Sequence, residues 1–186
     1  ILDIAKIEDG KLAIHPVIFE LQETIKESID TLQFKAEEKG ILLRQGKFDL
    51  LIARYLKGDS NRLRQILLNF LSNAVKFTNK GSVTIECSLA STSMNSQWIE
   101  FKIIDTGIGM EASFLETIFD PFTQETTGNS KNNIGTGLGM YISKQLIELM
   151  QGSVSVQSTK HFGTTISFKL PFAIAQKPDT KNEELK

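Results

Sequence analysis

Thiol chemistry is almost absent from this chain, because Cys87 is its single cysteine. An intrachain disulfide and a cysteine-rich zinc site are both excluded. The two histidines, His15 and His161, are too few for a His/Cys metal centre, and neither has an acidic neighbour in sequence. An excess of either charge is also missing: 21 basic residues face 22 acidic ones, a formal net charge of −1. Such a chain has no global field to draw in a nucleic-acid backbone, so nucleic acid is not an expected partner. No apolar run approaches the roughly 18 residues of a membrane span, so no membrane contact is expected of this domain. A basic start followed by an apolar block is absent too, and the chain opens without Met, which reads as an excised fragment. No G-x-x-x-x-G-K-[ST] run occurs, which excludes a P-loop. What remains is an ordinary globular composition, 40% hydrophobic and 23% charged over 186 residues. That length suits one domain, burying roughly 70% of its unfolded surface.

The hydrophobic pattern gives a sequence of elements. Ile1, Leu2, Ile4 and Ala5 have helical spacing and read as the tail of a longer helix closed by Gly10. Pro16 biases His15 to extended structure. Leu21, Ile25, Ile29, Leu32 and Ala36 predict a helix ended by Gly40, and strands are expected at 41–46 and 51–58. A second helix is predicted over 60–77, with Asp59 or Ser60 as N-cap. Strands over 82–90 and 97–105, a short helix near 111–117, a helix over 138–150 and a final hairpin follow. The expected fold is α+β: a two-layer α/β sandwich, its mixed, mainly antiparallel sheet of about five strands carrying about three helices on one face. Cys87 alternates with Val83, Ile85 and Leu89, which marks it as a core thiol.

Four stretches ask for a chemical explanation. On the 60–77 helix, Leu63, Ile66, Leu67, Phe70, Leu71 and Ala74 form the core stripe. Arg62, Gln65, Asn69, Asn73 and Lys76 lie within about 80° of one another on the opposite side. A solvated face would explain them, but two mid-helix asparagines are poor helix formers. A site would use them better: amide oxygens for a hard cation such as Mg2+, Lys76 for phosphate, and Phe77 as a flat face for a base. Alternation along 99–105 turns Asp105 inward at a strand end. Its donors would be the backbone of its own turn or a ligand amine, with Gly107 and Gly109 allowing close backbone approach to that ligand. Gly135, Gly137 and Gly139 open a helix whose free N–H groups suit an anion. Residues 120–134 lack periodicity and read as a lid or as plain disorder, with Phe119 and Phe122 pinning the first end.

Read together and in this order, these stretches resemble the ATP-binding catalytic domain of sensor histidine kinases, in the gyrase–chaperone–kinase ATPase superfamily. GDSNRLRQILLNFLSNAVKFT is similar to the family's N box, DTGIGM to its G1 box, FDPFTQ to its F box, GTGLGMYISK to its G2 box, and FGTTISF to its closing Gly-Thr motif. The resemblance implies 1–12 as the tail of a dimerisation helix, 13–173 as the ATP-binding domain, and 174–186 as a flexible tail or linker. It implies ATP and Mg2+ as cofactors, with Asn73 as the metal ligand and Asn69 nearby. Lys76 would meet phosphate and Phe77 would line the base pocket, with Gly107, Gly109, Met110 and Lys131 among the other cofactor-binding residues. Asp105, supported by Thr164, would accept from the adenine amine, and Gly137, Leu138 and Gly139 would offer backbone to the phosphates.

Two departures stand out: Ile134 where many relatives have glycine, and Asn69 where hydrolytic members carry Glu. A neutral amide is no general base, which favours phosphoryl transfer over hydrolysis. The implied partners are a histidine-bearing dimerisation domain and a downstream response-regulator receiver, for a monomeric, cytoplasmic fragment whose parent could be anchored in the inner membrane. The alternative is a nucleotide-binding module or weak ATPase without kinase output. The Asp105-Thr106-Gly107 triplet also suggests an aspartic protease, but that needs two aspartates and leaves the asparagine stripe unexplained.

Overall fold

The computed structural model describes residues 12–124 and 136–177. Among these residues lie four helices and seven strands, forming one sheet with helices packed on one face. The strands are β1 (Val17–Glu20), β2 (Leu42–Phe48), β3 (Tyr55–Gly58), β4 (Ser82–Thr92), β5 (Ser96–Asp105), β6 (Ser153–Thr159) and β7 (Gly163–Ile174). The helices are α1 (Leu21–Glu38), α2 (Ser60–Phe77), α3 (Ala112–Leu115) and α4 (Gly139–Leu149). The sheet order is β1-β3-β7-β5-β4-β2, and β6 pairs β7 beside β3. Only β2 and β4 run parallel; the other pairs are antiparallel.

Seven strands exceed the expected five; β1 is only four residues long, too short to show a period. The strand expected at 51–58 begins at Tyr55 instead. Its first half is a turn held by the buried Gln97, whose amide takes the Ala53 N–H at 2.8 Å and gives to the Leu51 carbonyl at 3.0 Å. Asp49 braces the same turn through the N–H groups of Leu51 and Leu89. The expected helix tail over 1–9 and the residues beyond Lys177 lie outside the described residues.

The core sits between α1, α2 and the central strands. Every member of the apolar stripe named on α2 is buried, joined by Val75. Phe70 reaches from α2 to Phe168 on β7 (5.7 Å between rings), and Phe168 stacks on Phe101 of β5 at 4.6 Å. Cys87 is buried among them, and desolvation pushes its thiol far above the ordinary cysteine range.

Asp59 starts α2: its Oδ1 accepts the Arg62 N–H at 3.0 Å while Oδ2 accepts the His15 N–H at 2.9 Å. Lys39, just past α1, closes the other end of α2 by donating to the Val75 and Lys76 carbonyls at 2.6 and 2.8 Å. A cation suits this negative helix end, and partial burial lowers the lysine pKa. Thr78 follows α2 and is fully buried, and its Oγ1 has no hydrogen-bond partner among the described residues. Thr78→Val keeps the shape and removes that hydroxyl, so it should raise stability by roughly 1–2 kcal/mol in thermal or urea unfolding. A fall instead would show that the hydroxyl is hydrogen-bonded in solution.

Candidate nucleotide site

The best candidate site lies along the polar side of α2. It runs from Asn69, beside the start of α4, to Phe77, beside the end of β5. Eight residues of helix separate these points, a span of about 12 Å.

Asp105 ends β5 opposite Thr164 of β7. Its side chain is buried, as its place in the alternation requires. Oδ1 accepts the Gly107 N–H at 2.8 Å and the Thr164 N–H at 3.3 Å. The local-turn donor considered from the sequence is thus present, yet it engages one oxygen. Among the described residues no hydrogen bond engages Oδ2, which leaves an acceptor for a ligand amine. Burial pushes the carboxyl above the usual range, and the two N–H groups pull the other way.

Thr164 supports Asp105 by its backbone rather than its hydroxyl. That hydroxyl lies 2.8 Å from Ser158 Oγ, which donates to the Gly163 carbonyl and accepts the Met110 N–H. Ser158 ties β6, β7 and the loop after Asp105 together, a role that alternation alone did not reveal. It also fixes the backbone of Met110.

Gly107 and Gly109 both sit hard against other protein groups. A Cβ on Gly107 would lie 2.5 Å from the Phe77 carbonyl oxygen and 2.8 Å from Asp105 Oδ1. A Cβ on Gly109, whose φ is +61°, would run into the Thr159 carbonyl. These contacts dock the Asp105 loop on the end of α2, where Ile108 N–H also bonds Phe77 at 3.1 Å. Phe77 is 46% exposed, and the Lys76 ammonium lies 5.0 Å over its ring. The flat face and the phosphate-sized charge therefore stand side by side at this end.

At the other end, the Asn69 Nδ2 donates to the Gly139 carbonyl at 2.5 Å and to Ser143 Oγ at 2.6 Å. Gly139 has no room for a side chain because the Asn69 amide fills that space. Leu138 is buried at the N-cap of α4, and Gly137 (φ +69°) packs on the Phe122 and Thr123 backbone. Of the two rings expected to pin the first end of the 120–134 stretch, Phe119 is half-buried under the Lys144 ammonium, whereas Phe122 adopts φ 62° and exposes 72% of its surface. Lys131 and the glycine at 135 lie outside the described residues.

Asn73 lies one turn beyond Asn69, half-buried, with no hydrogen bond to its side chain among the described residues. Amide oxygens are hard, neutral donors, and they fit a cation such as Mg2+ that keeps several non-protein ligands. Among the described residues no group of three or more His, Cys, Asp or Glu could hold a metal ion. Phosphate oxygens would therefore have to complete such a coordination shell.

Residues 58–174 match the histidine kinase-, DNA gyrase B- and HSP90-like ATPase family, and the chain belongs to it. It is 40% identical over 174 residues to hybrid signal transduction histidine kinase B of Dictyostelium discoideum, covering 94% of this chain and 9% of that protein. It is 37% identical over 185 residues to the sensor protein GacS of Pseudomonas syringae pv. syringae, covering 98% of this chain and 20% of that one. Its fold is similar to that of full-length ShkA, solved in complex with AMPPNP, with a TM-score of 0.81 and 29% identity over 96% of this chain and 35% of that one. The chain thus spans about a fifth or less of these two curated relatives. No helix among the described residues is long and apolar enough to cross a membrane.

Proposed function

We propose that this chain binds Mg-ATP along α2 and presents the γ-phosphoryl group to a histidine on a separate dimerisation domain, in two-component signal transduction. The observation that supports this reading most is the single unengaged oxygen of buried Asp105, at the Phe77 end of a helix that offers Asn73 and Lys76. Asp105 Oδ2 accepts from the adenine amine, Phe77 covers the base, and Lys76 swings from that ring to phosphate. Gly137, Leu138 and Gly139 bring the start of α4 to the phosphate chain, where free N–H groups favour anions. Asn73, with Asn69 beside it, would hold Mg2+, which supplies charge neutralisation for the phosphates.

The neutral Asn69 amide does not take up a proton from water at neutral pH, and its nitrogen is committed to α4. Water is therefore not activated here, and an imidazole nitrogen is the better nucleophile. It forms the N–P bond as the bond from γ-phosphorus to the bridging oxygen breaks, and ADP leaves. A receiver domain of a response regulator is the next acceptor in the cytoplasm. The dimerisation helix proposed for residues 1–12 would join this domain to its histidine.

Neither histidine of the chain can take that role in cis. His15 is held at the Asp59 end of α2, ten residues and so about 15 Å of helix from Asn69 at the phosphate end. His161 sits in the β6–β7 turn, its N–H bonded to the Ile108 carbonyl, at the base end of the site. Incubation with labelled ATP tests the proposal. The chain alone should stay unlabelled, and adding a histidine-bearing helical domain as a separate chain should yield acid-labile phosphohistidine on that domain. Label on His15 or His161 would overturn it.

A further inference from the structure

A helix leaves its last four carbonyls without partners of its own, and in α2 these belong to Ala74, Val75, Lys76 and Phe77. All four have donors. The Thr78 N–H gives to Ala74 at 3.0 Å, and the Ile108 N–H gives to Phe77 at 3.1 Å. The Lys39 ammonium takes the two between, Val75 at 2.6 Å and Lys76 at 2.8 Å. This lysine is not a loose surface side chain. The Lys39 and Ile41 N–H groups both bond the carbonyl of fully buried Ala36, at 3.2 and 3.1 Å. The Leu42 N–H bonds the Gly81 carbonyl at 2.9 Å. The stem is thus fixed by the end of α1 and the start of β2, independently of its ammonium.

We propose that Lys39 is a positioning residue for the base end of the nucleotide site, acting from α1 through two carbonyls of α2. This rests on the nucleotide reading above. The turn it holds carries Lys76 and Phe77. Through the Phe77 carbonyl that turn also holds Ile108, in the loop whose Gly107 N–H bonds Asp105. Without the ammonium, two carbonyls at the negative end of the helix lose a charged donor. The turn then opens part of the time, and Lys76, Phe77 and the Asp105 loop are assembled only in the remaining fraction. Apparent affinity falls by that fraction.

The experiment is calorimetric titration of the whole chain with Mg-ADP, beside amide exchange followed residue by residue. Lys39→Met and Lys39→Gln should each weaken Mg-ADP binding roughly 3- to 10-fold, as expected when the turn is formed about 10–30% of the time. The Gly107 and Ile108 amides should exchange faster. The Leu63 amide, bonded to the Asp59 carbonyl at the other end of α2, should be far less affected. Lys39→Arg keeps the charge and the donors and should retain wild-type affinity. Arg64→Ala removes a different tie between α1 and α2, the 3.1 Å ion pair with Glu27, and should leave affinity unchanged. Circular dichroism and urea unfolding establish that each variant is folded. A lower urea midpoint with wild-type Mg-ADP affinity in Lys39→Met would overturn the proposal, because Lys39 would then only cap a helix. So would an equal affinity loss in Arg64→Ala, which would mark helix docking in general. Wild-type protein that binds no Mg-ADP would instead bring down the nucleotide reading itself.

Discussion

Asp105→Asn should weaken ATP binding about 10- to 100-fold and at the same time leave the fold as stable or more stable at neutral pH. The affinity loss is that of a charge-assisted hydrogen bond, about 1.5–3 kcal/mol. An asparagine oxygen can still accept from the Gly107 and Thr164 N–H groups, which turns its NH2 toward the ligand. A donor then faces the donor of the adenine amine. Guanine has a carbonyl at that ring position, so the variant should narrow or reverse the preference for ATP over GTP, whereas the wild-type chain should bind GTP poorly. The stability effect follows from burial. The Asp105 pKa is raised by desolvation in the folded chain, so the folded state holds this proton more tightly than the unfolded state does. Its contribution to stability is therefore greatest at low pH and is lost as the pH rises through the raised pKa. At neutral pH the charged carboxylate is a net cost that asparagine removes. Calorimetry with ATP and GTP, and urea unfolding at pH 4 and pH 7, check both halves. Equal wild-type affinity for the two nucleotides would refute the adenine role.

Phe168→Ala should cost about 3–5 kcal/mol of folding stability, the range for truncating a fully buried aromatic. Phe168 is 1% exposed, stacks on Phe101 and meets Phe70 of α2, so its ring joins the sheet to the helix that carries the site. Such a loss is a large share of a domain's typical total of about 5–15 kcal/mol. Urea unfolding should show a lower midpoint with an unchanged slope. Nucleotide affinity should fall as well, because Asn69 adjoins Phe70 on the same helix. A loss below about 1 kcal/mol would mean that the core closes over the gap with little cavity left.

Much of this architecture was readable from residues because it is periodic. The α2 stripe and the alternation of β5 each place many side chains at once, and a single slip would expose all of them. Asp105 was legible for that reason: parity turned it inward without any knowledge of its partners. The short strand β1 carries too few residues to show a period, and the Gln97 amide replaced the first half of the strand expected at 51–58 by a turn at Leu51 and Ala53. The tertiary ties of the site left no local trace. Ser143, Ser158 and Lys39 are ordinary polar residues in sequence, and their hydrogen bonds reach across 74, 48 and 36 positions. Nor did the sequence show that Phe77 and Thr159 press against Gly107 and Gly109.

The pairing of β5 with β7 bears on how chain length can vary. Asp105 and Thr164 meet across 59 positions of sequence, and their partnership is one rung of a continuous ladder from Ser96–Ala173 upward. Closing a loop of that size carries an entropy that grows only with the logarithm of its length. Ten residues inserted between Met110 and Gly137 would add roughly 0.1–0.2 kcal/mol to the closure cost. The carboxylate would stay seated, because its position is set by the ladder and not by the intervening chain. The segment between these strands is thus free to lengthen, shorten and change composition between proteins, while Asp105 keeps its place on the sheet.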